Sequence, residues 1–337
     1  MSIIKKFNPK SIKKILIIQL GPFGDVFLTT SYFEELKKKF IHAEIHYLTK
    51  KKYSAILKNH PFIDKIITTG DKHDKYYVWN RIKKILEIRK NKYDIVIDQQ
   101  NKPSSQQFTW LSGARFRVGY ANGRLNMAYN LKASRGPIRY SASRKFDILQ
   151  PLGIEFVPYK LYCNVTKESE KYIDNWLEKE NLSNKKLVIF SPGSPLKWKI
   201  WNPDYYSQLA DKLAKDGFSI IWLWGPSELD LVKSIKNKMN EESIIALPTT
   251  FNQALALLKK SELLVCNDGG MNHLSTTANI KTLALFGSTD TVTWSPASVF
   301  KTHHHLCNKE NDSFHDNTFG ITPEAAYQKI REIMNEK

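Results

Sequence analysis

The residues best able to do chemistry lie between Leu263 and Trp294. Asp268, Gly270 and His273 are spaced D-x-G-x-x-H within and just after the turn Asn267-Asp268-Gly269-Gly270, and a second polar turn follows at Phe286-Gly287-Ser288-Thr289-Asp290. Paired glycines let bare backbone approach a ligand, and a helix starting near Met271 would offer unpaired N–H groups and a positive dipole end. That chemistry suits a diphosphate. The alternative is a tight strand-to-helix turn with a satisfied histidine. Two further turns carry charge. Ser191-Pro192-Gly193-Ser194-Pro195 runs into Lys197-Trp198-Lys199-Ile200-Trp201-Asn202-Pro203, and Gly21-Pro22-Phe23-Gly24-Asp25 ends on a carboxylate. The G-x-x-G-D spacing of the latter lacks the G-x-G-x-x-G that seats a pyrophosphate, so it gives a nicotinamide cofactor only weak support. From local sequence the alternative for Asp25 is an N-cap.

The elements that must position these residues are short apolar runs alternating with helical segments, the pattern of parallel βαβ units. Strands are expected at Lys13–Leu20, Glu44–Leu48, Lys65–Thr68, Tyr93–Asp98, Leu187–Phe190, Phe218–Trp224, Leu263–Cys266 and Thr282–Phe286. Helices are expected over Val26–Phe40, Val78–Lys90, Asp204–Lys215, Gln253–Lys260 and Pro323–Met334. In such sheets ligands sit beyond the carboxyl ends of the strands, where all these turns fall. Asp98-Gln99-Gln100-Asn101 ends its strand at the same edge. A boundary is expected near Pro151–Thr166, giving an N-terminal domain over 1–160, a second over 165–320 and a terminal helix over 322–337. No repeat is visible in the sequence. His303-His304-His305 reads as a loop rather than a metal site, because three adjacent histidines do not share a face. Neither a D-x-D motif nor any other metal-ligand set stands out, and no cofactor is called for.

With 337 residues, 42% hydrophobic and 25% charged, the chain has the composition of an ordinary globular protein of about two domains. Cys163, Cys266 and Cys307 are too few and too dispersed for a disulfide framework or a cysteine metal site, which fits a reducing compartment. No apolar run reaches the ~18 residues of a membrane span, and a cytosolic location is expected. The net charge is +18 and unevenly spread. Residues 1–165 hold 31 Lys/Arg against 12 Asp/Glu, whereas residues 166–337 hold 20 against 21. The first half is thus drawn to an anionic partner: a membrane surface, a phosphorylated lipid or nucleic acid. Arg115, Arg117, Arg124, Arg135, Arg139, Arg144 and Lys145, interleaved with Tyr120, Tyr129 and Tyr140, could bind nucleic acid by charge and stacking, or hold phosphates and sugars. Solvated surface is the plain alternative for all of them.

At these turns the chain resembles glycosyltransferase family nine, the lipopolysaccharide heptosyltransferases, whose motifs D-[ST]-G-x-x-H-[LI] and [FY]-G-x-[ST] correspond to Asp268–Leu274 and Phe286–Thr289. Gly269 departs from the pattern, standing where the family has Ser or Thr. The resemblance extends in order to Gly24-Asp25, where the family's aspartate is the catalytic base, and to K-x-W-P. There Lys199 matches the lysine that neutralises the donor diphosphate, Trp201 the tryptophan, and Asn202 is inserted before Pro203. It extends also to G-x-x-x-E at Gly225-Pro226-Ser227-Glu228. Asn101 and Lys102 stand where the family has a glycine and a basic residue.

The resemblance implies a GT-B fold, α/β, with two Rossmann-like domains facing each other across a crevice and a C-terminal helix bracing the first. It implies an inverting, metal-independent transfer of heptose from ADP-heptose onto a lipopolysaccharide or lipooligosaccharide inner-core acceptor at the inner face of the cytoplasmic membrane, with no nucleic acid involved. Asp25 would be the base, with donor contacts at Ser194, Lys199, Glu228, Thr250, Asp268, Gly269, Gly270 and His273. Glu228 would hold a sugar or ribose hydroxyl or simply begin a helix, and the loop at Thr250 would border the nucleobase. Transfer of a different nucleotide-activated sugar, or a basic nucleic-acid-binding α/β protein, are the competing readings.

Overall fold

A computed structural model describes residues 8–70, 75–121, 125–308 and 317–336. Among these residues twelve strands form two six-stranded, wholly parallel sheets, one in each of two compact units, Met1–Asn164 and Val165–Lys337. The first sheet comprises β1 (Lys14–Ile18), β2 (Glu44–Lys50), β3 (Lys65–Thr69), β4 (Ile95–Asp98), β5 (Phe116–Tyr120) and β6 (Leu131–Ala133), in the order β3-β2-β1-β4-β5-β6. The second comprises β7 (Leu187–Ser191), β8 (Ser219–Trp222), β9 (Ser243–Ile245), β10 (Leu263–Asn267), β11 (Lys281–Phe286) and β12 (His303–Cys307), in the order β12-β11-β10-β7-β8-β9. Counted from the first strand of each unit, the two orders are the same, and both match the doubly wound dinucleotide-binding arrangement. The architecture is therefore GT-B: the backbone repeats although the sequence does not. In both units the apolar strands are buried on both faces.

The second unit shows why these runs are strands. Along β7, β10 and β11 alternate side chains enter opposite layers. Val188, Phe190, Leu263, Val265, Leu283 and Leu285 join one cluster, while Leu187, Ile189, Leu264, Cys266, Ala284 and Phe286 join the other. The first layer is closed by helix Pro203–Lys215 through Tyr206, Leu209 and Leu213, and by Leu229–Lys236 through Val232 and Ile235. The other layer is closed by Lys167–Lys179 through Ile173, Trp176 and Leu177, and by Phe251–Leu258. The C-terminal helix Pro323–Asn335, which the resemblance would have brace the first domain, puts Ala326, Ile330 and Ile333 into the first of these layers. Glu324 reaches Lys212 at 2.8 Å on the neighbouring helix.

Three expectations need correction. The helix expected over Val26–Phe40 is Phe23–Leu28, a 3-10 turn Thr29–Tyr32 and a helix Phe33–Lys39. Thr29 and Thr30 hydroxyls donate back to the carbonyls of Asp25 and Phe27, which loosens the regular ladder there. His303–His305 belong to β12, paired with Thr282–Ala284, and not to a loop. His303 and His305 meet Ser275 and Ser295, respectively, each at 2.9 Å, while His304 lies 3.3 Å from Glu336. Burial pushes His303 down to about 3, so it is neutral at ordinary pH. The third correction concerns the helix after Asp268, described with the site.

Candidate functional site

Strand order fixes where chemistry can sit. In the first sheet the order reverses between β1 and β4, and in the second between β7 and β10. The crevices open at the carboxyl ends of those pairs. Asp25 follows β1 and Asp98 ends β4. The Pro192–Ser194 turn follows β7, and Asp268 follows β10.

In the first unit, the φ of Gly21 is +114°, and a Cβ there would sit 2.1 Å from the Tyr53 ring; only glycine can turn the chain from β1 toward Asp25. Asp25 lies in the first turn of Phe23–Leu28. Its Oδ1 accepts from Lys145 Nζ at 2.7 Å, with the carboxylate one-quarter exposed and the lysine nearly buried. The sequence counted Lys145 among surface cations. Here it is the partner of the candidate base, 120 residues away. Asp98 is fully buried. Its Oδ2 accepts from Tyr129 at 2.8 Å and its Oδ1 from the amides of Gln100 and Asn101 at 3.1 and 3.0 Å. Burial outweighs these bonds and raises its carboxyl to about 6. Arg124 lies outside the described residues. Arg139 is tied to Asp147 at 2.6 Å, and Arg117 to the carbonyls of Ala128 and Ala114, so both cations have structural partners.

In the second unit the central contact is Lys199 Nζ to Asp268 Oδ2 at 2.5 Å; only 4% of the Asp268 side chain and 18% of the Lys199 side chain is exposed. The turn bearing the lysine is anchored from two sides. Trp201, fully buried, donates its indole N–H to the carbonyls of Thr318 and Ile321 at 2.9 and 3.1 Å. Asn267 then joins three segments. Its Oδ1 accepts from the Trp201 amide at 3.1 Å and the Tyr206 hydroxyl at 2.8 Å, and its Nδ2 donates to the Pro192 carbonyl at 2.6 Å. Sequence reading did not single out Asn267. An Asn ending an apolar strand, two residues before a glycine pair, was the available signal.

The remaining expected donor residues divide. Glu228 bends back so that its Oε2 accepts from the Gly225 amide at 2.7 Å, and a Cβ on Gly193 would lie 2.0 Å from its carboxyl. Gly193 is thus glycine because Glu228 occupies its side-chain space, and burial raises the Glu228 carboxyl. Ser194 Oγ accepts from the Leu196 amide at 3.2 Å. Thr250 caps helix Phe251–Leu258 in a reciprocal box with Gln253. Its hydroxyl therefore has a structural task. His273 is buried, its ring 6.2 Å from that of Trp294.

The helix beginning at Gly270 ends at Leu274 and continues only as a 3-10 turn. One turn carries a small dipole, which leaves Lys199 as the main fixed positive charge at this strand edge. Gly270 has helical backbone and is not in the left-handed region, so no backbone strain would oppose a side chain there. Gly269 is extended, at φ −172°, and a Cβ there would meet only the Asn267 carbonyl at 3.9 Å. The site has room for the missing hydroxyl.

Among the described residues no group of three or more His, Cys, Asp or Glu side chains converges as a metal site, and no helix is long and apolar enough to cross a membrane.

The model of glycosyltransferase family 9 (heptosyltransferase) matches residues 81–319. The chain is 27% identical over 309 residues to lipopolysaccharide heptosyltransferase 1 of Campylobacter coli, covering 86% of this chain and 87% of that one. It superposes on a family 9 glycosyltransferase of Veillonella parvula with a TM-score of 0.85 at 21% identity, covering 98% and 99% of the two chains. It also superposes on the Escherichia coli heptosyltransferase WaaC, solved with ADP-2-deoxy-2-fluoro heptose, with a TM-score of 0.73 at 17% identity and coverage of 95% and 99%. With the family's motif residues gathered at the two strand-order reversals and its model spanning most of the sequence, the chain belongs to glycosyltransferase family 9, the heptosyltransferases of lipopolysaccharide synthesis.

Proposed function

We propose that the protein is an inverting glycosyltransferase that moves heptose from ADP-heptose onto a lipopolysaccharide or lipooligosaccharide inner-core acceptor carried at the cytoplasmic membrane surface. The observation that carries this reading is Lys199, held by a nearly buried Asp268 on the edge where a Rossmann-like sheet takes its ligand. An ammonium has three donors, so Lys199 can keep its bond to Asp268 and still donate to a diphosphate oxygen. The charge that grows on the leaving ADP meets a cation that is already oriented, which lowers the barrier without reorganisation. Lys199 thereby takes the part a divalent metal plays in other transferases, and turnover should survive chelation.

Asp25 is the base. It takes the proton of an acceptor hydroxyl on Oδ2 as that oxygen attacks the anomeric carbon, while the bond from that carbon to the diphosphate breaks on the opposite side. One displacement inverts the centre. Lys145, bonded to Oδ1, fixes which carboxylate oxygen is presented. Asp268 acts through Lys199 and is a positioning residue, and Gly269 and Gly270 supply backbone N–H groups to the phosphates. Ser194, Glu228 and His273 shape the donor turns. The Escherichia coli relative solved with an ADP-heptose analogue supports the donor assignment. A different nucleotide-activated sugar is the second reading, favoured by the missing hydroxyl at Gly269. Incubation with a panel of nucleotide sugars, reading donor loss by mass spectrometry, separates the two.

A further inference from the structure

Helix Tyr77–Lys90 has two unlike faces. Tyr77, Arg81, Lys84, Ile85 and Ile88 turn toward the body of the first unit, with Ile85 and Ile88 in its core and the Arg81 guanidinium 4.2 Å from the Phe108 ring centroid. The opposite face should be polar on an ordinary surface helix. Instead Trp79, Ile82 and Leu86, at helical spacing, are 59%, 43% and 59% exposed, with Val78 beside them at 68%. Trp110, 49% exposed, and Leu111 end the neighbouring helix Pro103–Leu111, where the Leu111 carbonyl accepts from Arg89. So many large apolar groups in water on one face mark an interaction surface.

The charges identify the partner. The helix carries Arg81, Lys83, Lys84, Arg89 and Lys90 against the single carboxylate Glu87. Lys83 and Lys90 are exposed along the apolar stripe, and Lys83 lies 5.7 Å over the Trp79 ring. A second copy of the chain would bring the same cations together, which like-charge repulsion opposes. Beside the helix is a cleft of about 300 Å³ lined by Thr68, Thr69, Gly70, Asn80, Lys83, Lys84 and Glu87, with Lys84 bonded to Glu87 at 2.6 Å. Hydroxyls, amide and ammonium groups there suit a phosphate, and the whole face has the make-up of a helix that lies in a bilayer interface. We propose that Trp79, Ile82 and Leu86 insert into an anionic lipid bilayer while Lys83 and Lys90 meet its headgroup phosphates. The surface rests on the reading above only in its partner, a lipid-borne acceptor.

Docking is read without donor or transfer, so the two claims fail separately. The full chain is sedimented with phosphatidylglycerol–phosphatidylethanolamine vesicles and with phosphatidylcholine vesicles, at low and high salt. Expected are binding to the anionic vesicles only and release by salt. Trp79→Ser/Leu86→Ser should weaken that binding about a hundredfold, since each of the two buried apolar side chains adds roughly tenfold. Lys83→Glu/Lys90→Glu should weaken it comparably, and Lys233→Glu/Lys236→Glu, on the near-neutral second unit, should not. All these side chains are exposed, so melting temperatures should match the parent. Three results would overturn the proposal: no preference for anionic lipid, undiminished binding by the Trp79/Leu86 variant, or a change in that variant's oligomeric state in place of its lipid binding. A protein that docks as described but transfers no sugar would refute the proposed reaction and leave the docking surface standing.

Discussion

Replacing Lys199 with methionine separates a structural cation from a catalytic one. Asp268 has 4% of its side chain exposed, and its carboxylate bonds Lys199 at 2.5 Å. Removing the lysine strands a buried charge, which costs about 3–5 kcal/mol of stability. If the second unit melts by itself, that corresponds to a fall of roughly 6–20 °C, at about 2–4 °C per kcal/mol for a unit of this size. Neutralising the partner in Lys199→Met/Asp268→Asn removes the stranded charge, and most of that stability should return. Activity should not return. The leaving diphosphate has lost its fixed cation in both variants, and the loss of such electrostatic support costs about 10²–10³-fold in turnover. Calorimetry and a donor-turnover assay on the parent, the single variant and the double variant check both halves. A double variant that regains stability and near-parental turnover would show that Lys199 only neutralises Asp268. A single variant as stable as the parent would show that the pair is not buried in solution.

Two predictions concern the first unit. Asp25→Asn should keep fold and ADP affinity but lower turnover by at least ~10²-fold, because the amide cannot take the proton; near-parental turnover would reduce Asp25 to a partner for Lys145. Asp98, raised from 3.8 to about 6, keeps its proton longer in the folded chain than in the unfolded one. Its contribution therefore favours folding below about 4 and is lost as pH rises through about 6, some 3 kcal/mol in all. Carboxyl-carbon NMR should show a midpoint near 6 for Asp98, and a midpoint below 4 would contradict its burial.

Local spacing made much of the site readable. D-x-G-x-x-H, K-x-W and G-D are each set within a few residues by a strand end and the turn after it. They place Asp268, Lys199 and Asp25 without knowledge of the rest of the chain. What stayed hidden depends on contacts between distant segments. Lys145 on Asp25 closes a loop of 120 residues, and Asn267 acts by reaching Pro192, Trp201 and Tyr206. The partnership of Gly193 with Glu228 exists only because two strand-end turns meet. Thr250, which the resemblance put beside the nucleobase, gains a second task that spacing alone did not show, the cap it shares with Gln253. His303–His305 look polar enough for a loop, yet pairing to β11 makes them an edge strand whose buried side is satisfied by serines. The charge of the first half was plain from composition. Its concentration with exposed tryptophan and leucine on Tyr77–Lys90 was not, because that segment also has an ordinary buried face at Ile85 and Ile88.

Sugar transfer with inversion from ADP-heptose is tested most directly by offering the purified protein ADP-heptose and a heptose-free lipid A–core acceptor, with chelator present, and following the product by mass spectrometry and anomeric NMR. The acceptor should gain one heptose, the donor should leave as ADP, and the new linkage should have the configuration opposite to the donor's. Retention of configuration would contradict the single displacement at Asp25, and loss of turnover on chelation would contradict the role given to Lys199. Consumption of another nucleotide sugar while ADP-heptose is left untouched would contradict the donor.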